Sequence, residues 1–348
     1  MRFFTLLIIL FQFTFLFSQG IHAPSDLITL LESSEIKYNL DVSDLKVEAV
    51  DRTELFSENI FYRLDSSGTK VTRIYPYELG VKNEVKDLYN LASDLYKNGE
   101  TNKARNLCVK ILGLAPDYYR VMTLIGQTYL LEGNFDKAQE ILENTILIND
   151  LDFKSHWYLA EVLLLKGIKK RAVYEITVAK VLNRNHMGVD KALRRIYKKC
   201  NVRFKDWSFV PQMKIDKMND SLVYIHCRED WLGYALCKTL WYFEPGYCES
   251  MGVRKDQQSI IEERECLANF MVSVGICKKK YKSDEVICAL NKALELNHIA
   301  EFIYFEIWLP ENPYLVYGLP TAMLERIALY ILDVRTSKNY NFMNILKS

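Results

Sequence analysis

Between residues 85 and 186 the apolar positions return with a fixed spacing. The stretch "LLEGNFDKAQEIL" at 130–142 has a counterpart 34 residues earlier, "YKNGETNKARNLC", and another 34 residues later, "LLKGIKKRAVYEI". Aligned as three units, 85–118, 119–152 and 153–186, the chain places Leu91, Ile125 and Leu159 at the seventh position. A small residue follows each: Ala92, Gly126, Ala160. Leu95, Tyr129 and Leu163 complete an i, i+4 apolar face, which predicts a helix. Gly99, Gly133 and Gly167 fall where that helix should end, because glycine takes the left-handed conformation without a Cβ clash. A second helix is expected after each glycine, with Ala104, Ala138 and Ala172 at a tight crossing. Its buried face is expected to continue through Cys108, Leu142 and Ile176 to Leu114, Ile148 and Leu182, and Pro116 closes the first unit.

Outside the repeats the pattern changes. "PSDLITLLESSEI" predicts a helix capped at Ser25, and residues 21–84 read as a mixed cap or arm with strands near 59–64 and 69–75. A helix followed by a β-hairpin insertion is expected over 187–228, with two strands around Asn219-Asp220. Helical periodicity returns over 228–243, stopped by Pro245-Gly246, and again over 255–280, 283–297 and 318–336. The C-terminal region 229–348 is therefore expected to be helical.

The 34-residue pattern resembles the tetratricopeptide repeat, a helix–turn–helix unit. Two departures stand out: the usual closing proline survives only as Pro116, and the aromatic common at the fourth position is replaced by Leu88, Met122 and His156. A degenerate further unit is expected near 266–299. The resemblance implies a mainly α, solenoid-like stack whose first helices line a concave groove. It also implies that the second, fifth, ninth, twelfth and thirteenth positions face that groove. Those positions are Lys86, Tyr89, Ser93, Tyr96 and Lys97, then Arg120, Thr123, Gln127, Leu130 and Leu131, then Lys154, Trp157, Glu161, Leu164 and Leu165. Aromatic and basic anchors beside an apolar strip suit a protein or peptide partner; alternatively the leucines are covered by other parts of the chain. Members of the family that clamp a C-terminal carboxylate use Lys and Asn where Tyr89 and Ser93 stand, so that mode is not expected.

Composition narrows the function classes. With 14 Gly, 8 Pro, 49% hydrophobic and 26% charged residues, the chain can fill an ordered core. Residues 1–20 read as a leader, with Arg2 before an apolar run at 3–17 and small residues at Ser18 and Gly20. Export to a periplasmic or secreted destination is expected, the mature chain beginning near Ile21 with no membrane span, although a retained anchor is the alternative. The chain has 45 basic and 44 acidic residues, and loss of Arg2 with the leader evens them. A neutral chain has no general electrostatic footprint for nucleic acid.

Eight cysteines invite bridges, but Cys108 sits at a core position and Cys237, Cys277 and Cys288 lie in apolar runs. Mostly free, buried thiols are expected, with one or two bridges open among Cys200, Cys227, Cys248 and Cys266. His226-Cys227 is the one adjacent base–nucleophile pair, and neighbours on a strand point to opposite faces. No catalytic, metal or cofactor motif is found. The expected function is a protein-binding scaffold. An enzyme with a pocket between the groove and residues 200–250, or a structural subunit of an envelope or secretion assembly, remain the alternatives.

Overall fold

The computed structural model describes residues 22–56, 61–64, 73–76, 82–116, 118–255, 257–276 and 284–337. The leader at 1–20 and Cys277 lie outside these. The chain divides into two compact units, one of residues 1–50 and 207–303, the other of 51–206 and 304–348.

The second unit holds the repeats. Its helices are α2 (Asn83–Lys97), α3 (Thr101–Leu114), α4 (Arg120–Leu131), α5 (Phe135–Ile148), α6 (Phe153–Leu165), α7 (Lys169–Leu182) and α8 (Met187–Lys199), with α12 (Thr321–Val334) from the C-terminal part. The first six form three hairpins in the expected register. Gly99, Gly133 and Gly167 turn each hairpin at φ of 80°, 77° and 78°. The small residue at the eighth position does what its size suggests. A Cβ on Gly126 would lie 2.7 Å from Leu142 on α5, and Ala92 and Ala160 are fully buried.

Three expected core residues are not core. Leu91 is 51% exposed, Leu114 53% and Ile148 45%, whereas Ile125 is 8% and Leu159 0% exposed. Ile125 packs onto Cys108 and Ile111 of the preceding hairpin. Leu91 would need a helix before α2, and the described residues there are the short strands β2 (Phe61–Leu64) and β3 (Arg73–Pro76), paired antiparallel. Leu182 is 1% exposed because α7 has a further cover beside its sequence neighbours: α12 packs against it together with α6 and α8. Every residue of α7 from Glu175 to Leu182 is buried. Lys180 is among them, ion-paired to Asp190 at 2.9 Å; burial, with Arg184 nearby, pulls its ammonium down to about 8.

The first unit is a small sheet with helices. It contains α1 (Pro24–Ser33), β1 (Lys37–Val42), β4 (Met213–Asn219), β5 (Leu222–Cys227), α9 (Leu232–Phe243), α10 (Ile260–Ile276) and α11 (Glu285–Glu295). The hairpin at Asn219-Asp220 forms as expected, but β5 also pairs in parallel with β1, giving the order β1-β5-β4. On β5 the alternation is strict: Val223, Ile225 and Cys227 are buried. α9 packs against that strand. The cap of α1 lies two residues before the expected Ser25: Ala23 is the N-cap and Pro24 the first helical residue. Proline's fixed φ suits that position, and the Asp26 carboxylate accepts the Ala23 N–H at 3.1 Å.

Cys108, Cys200, Cys227, Cys237, Cys248 and Cys266 are unbridged and buried, and Cys288 is exposed. None of Cys200, Cys227, Cys248 and Cys266 is bridged, and each fills a packed position instead. The Cys248 thiol, for example, donates to the Trp241 carbonyl at 3.1 Å.

Two glycine replacements separate packing from propensity. Gly126→Ala is expected to lower unfolding free energy by about 1–3 kcal/mol through overpacking. Gly113, helical with nothing within 4 Å of an added Cβ, should gain about 0.5 kcal/mol as Ala. Urea unfolding of both variants measures the difference in sign.

Candidate functional site

The face built by α2, α4 and α6 starts with an aromatic–cation pair. Arg120, at the second position of its unit, lies over the Tyr89 ring with 4.8 Å to the centroid. Tyr118 meets the same ring edge-on at 5.7 Å. Burial pushes the Tyr89 phenol up, and the Arg120 guanidinium opposes that shift. Tyr96 is half-buried against the first hairpin core, and burial raises its phenol as well. Lys86 and Ser93 are half-buried, while Lys97 is exposed and pairs with Asp94 at 2.9 Å.

Thr123 and Gln127 do not present themselves to solvent; they are 2% and 9% exposed. Thr123 is drawn inward by the cap of the next helix. Asp152 accepts the Lys154 N–H at 2.9 Å, the Thr123 hydroxyl at 2.5 Å and the Ser155 hydroxyl at 2.7 Å. A buried carboxylate needs such donors, and Thr123, on α4, supplies one from 29 residues earlier in the chain. Its short polar side chain was the signal.

In the third hairpin, Lys154 lies 5.7 Å from the Phe153 ring centroid. Trp157 is half-buried and donates from Nε1 to Glu161 at 3.2 Å. Helix α8 presses on it: a Cβ on Gly188 would lie 2.9 Å from the indole, and the His186 ring stands 6.0 Å away at 69°. Glu161 is ion-paired with Arg195 of α8. Helix α8 thus takes the place beside α6 that a fourth first helix would occupy, and engages both expected site residues.

Beyond these, the strip stays open. Leu130 and Leu164 are half-buried, but Leu131 is 56% and Leu165 58% exposed. They hold the same position in consecutive hairpins. The sequence reading passed over Tyr158, the residue after Trp157. Its ring stacks parallel to Trp157 with 5.6 Å between centroids. Burial raises its phenol, and Tyr96 and Tyr89 lie close enough to add to the shift. As a sixth-position residue Tyr158 fell between the groove and seam positions, and no local periodicity marked it.

His226 and Cys227 point apart as strand neighbours must. His226 lies 3.2 Å from Asp41, while burial pushes the Cys227 thiol up to about 11. Among the described residues no group of three or more His, Cys, Asp or Glu is placed to hold a metal ion.

Residues 95–163 match the family model described as tetratricopeptide repeat. No curated protein matches the chain. Among solved structures, the Yersinia enterocolitica type III secretion chaperone SycD, in complex with a peptide of the translocator YopD, is 20% identical; the match covers 35% of this chain and 92% of that one, with a TM-score of 0.32. The Arabidopsis OM64 TPR domain is 18% identical over 33% of this chain and 94% of that one, with a TM-score of 0.31. PcrH in complex with the chaperone binding region of PopB is 17% identical over 34% of this chain and 98% of that one, with a TM-score of 0.31.

Proposed function

From a chain that carries tetratricopeptide repeats over residues 95–163, we propose a scaffold that binds an extended or helical segment of a partner protein along α2, α4 and α6. The observation that carries this is the open pair Leu131 and Leu165, 56% and 58% exposed at matching positions of successive hairpins. Leucines exposed at the same position of successive hairpins would suit the apolar side of a partner segment. Tyr89, stacked under Arg120, supplies an aromatic and basic anchor of the type that dominates binding energy at protein interfaces. The partner segment would place apolar side chains on the leucine strip.

We further propose that the protein acts outside the cytoplasm. The reading rests on the leader-like residues 1–20 and on the absence, among the described residues, of any helix long and apolar enough to cross a membrane. N-terminal sequencing of protein recovered from producing cells should return Ile21; retention of Met1 would overturn this part of the proposal.

The binding face is tested with a partner captured by co-purification. Leu131→Asp and Leu165→Asp together should weaken that partner by about 10–100-fold, the range of one or two interface anchors. Each exposed substitution should move folding stability by no more than about 0.5 kcal/mol. Unchanged affinity in the double variant, with the fold intact by thermal melting, would remove this face from the binding site.

A further inference from the structure

The sheet of the first unit has two edges, and they are not alike. The β4 edge is guarded by charge and irregularity: it carries Lys214, Asp216 and Lys217, and its pairing to β5 shifts register between Lys217 and Asn219. These are the devices that keep an exposed edge from recruiting another strand. The β1 edge has neither a bulge nor a run of charge.

Backbone direction on β1 is fixed by its ladder to β5. The Lys37 N–H donates to the Ser221 carbonyl at 2.9 Å, and the Ser43 N–H to the Cys227 carbonyl at 3.0 Å. Lys37, Asn39, Asp41 and Ser43 therefore turn their backbone groups towards β5. Those of Tyr38, Leu40 and Val42 face the open edge and have no hydrogen-bond partner among the described residues. The same three side chains share a face with Val223, Ile225 and Cys227. Their β5 counterparts are buried, yet Leu40 is 48% and Val42 45% exposed. Apolar surface and unpaired backbone coincide on one edge.

We infer that β1 is the edge through which two copies of this chain join their sheets, β1 pairing antiparallel with β1 of the second copy about a two-fold axis at Leu40. The occupant is set by the strand's own complementarity. In that register Leu40 meets Leu40, Tyr38 meets Val42, and each such pair exchanges both of its backbone hydrogen bonds. On the opposite face Asn39 meets Asp41, an amide donor against a carboxylate whose side chain is still 60% exposed beside His226. Aromatic against β-branched and amide against carboxylate are favourable cross-strand pairs. A closed two-fold contact of this kind uses one patch twice. An unrelated extended peptide would gain the backbone bonds but not this reciprocal matching of side chains.

Sedimentation velocity on the full chain across the micromolar range tests it, with Asn39→Asp and Asn39→Lys as paired variants. The wild-type chain is expected to form a concentration-dependent dimer. Asn39→Asp sets carboxylate against carboxylate twice per dimer and should raise Kd by about fivefold; Asn39→Lys sets an ammonium against Asp41 and should lower it by a similar factor. Asn39 is half-exposed, and thermal melts confirm that each variant folds. A chain that stays monomeric throughout, or a dimer whose Kd ignores both substitutions, overturns the inference.

Discussion

A helical hairpin has an apolar face that it cannot bury by itself, and the repeat unit depends on that constraint. Every buried seam residue of one hairpin needs the helix of a neighbour. Ile125 is buried because Cys108 and Ile111 lie across from it; Leu91, at the same repeat position, is half in solvent. At the other end of the stack, α7 is enclosed by α6, α8 and α12 and tolerates polar groups only with partners. Thr177 meets the Tyr197 hydroxyl at 2.6 Å, and Glu175 meets His156 at 2.7 Å. Arg171 extends that tie to Glu143 of α5 at 2.6 Å. Polar cross-links of this sort fix one stacking geometry, since a misplaced hairpin would leave buried charge unpaired.

The candidate face is a by-product of the same stacking. Hairpins in register repeat their first helices, so side chains at one repeat position form a row. Leu131 and Leu165 show this directly. Deviations from the row arise where a tertiary neighbour intervenes: the Asp152 cap takes Thr123 into the interior, and Arg195 of α8 takes Glu161. What stays exposed along these helices is the pair Leu131 and Leu165, while Tyr89 is half-buried under Arg120. The open surface of these first helices is whatever the packing of neighbours does not consume.

The parts legible in the sequence are those governed by local periodicity and by glycine. A 34-residue spacing of Gly99, Gly133 and Gly167 can hardly mean anything but a repeated left-handed turn, and the small residue at Gly126 announced a close helix approach. Contacts between residues distant along the chain left little trace. The alternation Tyr38, Leu40, Val42 was available as a strand signal, but nothing local says that β1 lies in parallel beside β5, which is 185 residues away. The covering of α7 by α12 is equally non-local, so Leu182 could not be told apart from Leu114 or Ile148 by pattern alone. At the face, residue type identified Tyr89, Arg120 and Trp157 as large side chains on first helices. How deeply each is held depends on α8 and on Asp152, which the repeat pattern does not encode.

Native-state hydrogen exchange resolved helix by helix tests the stacking constraint most directly, since protection follows how many neighbours a helix must lose to open. Amides of α7 should exchange slowest in the repeat unit, those of α4 and α5 faster, and those of α2 and α3 fastest. Protection of α2 and α3 equal to that of α7 would contradict the account, because the first hairpin would then be stable without the neighbour that its exposed Leu91 lacks.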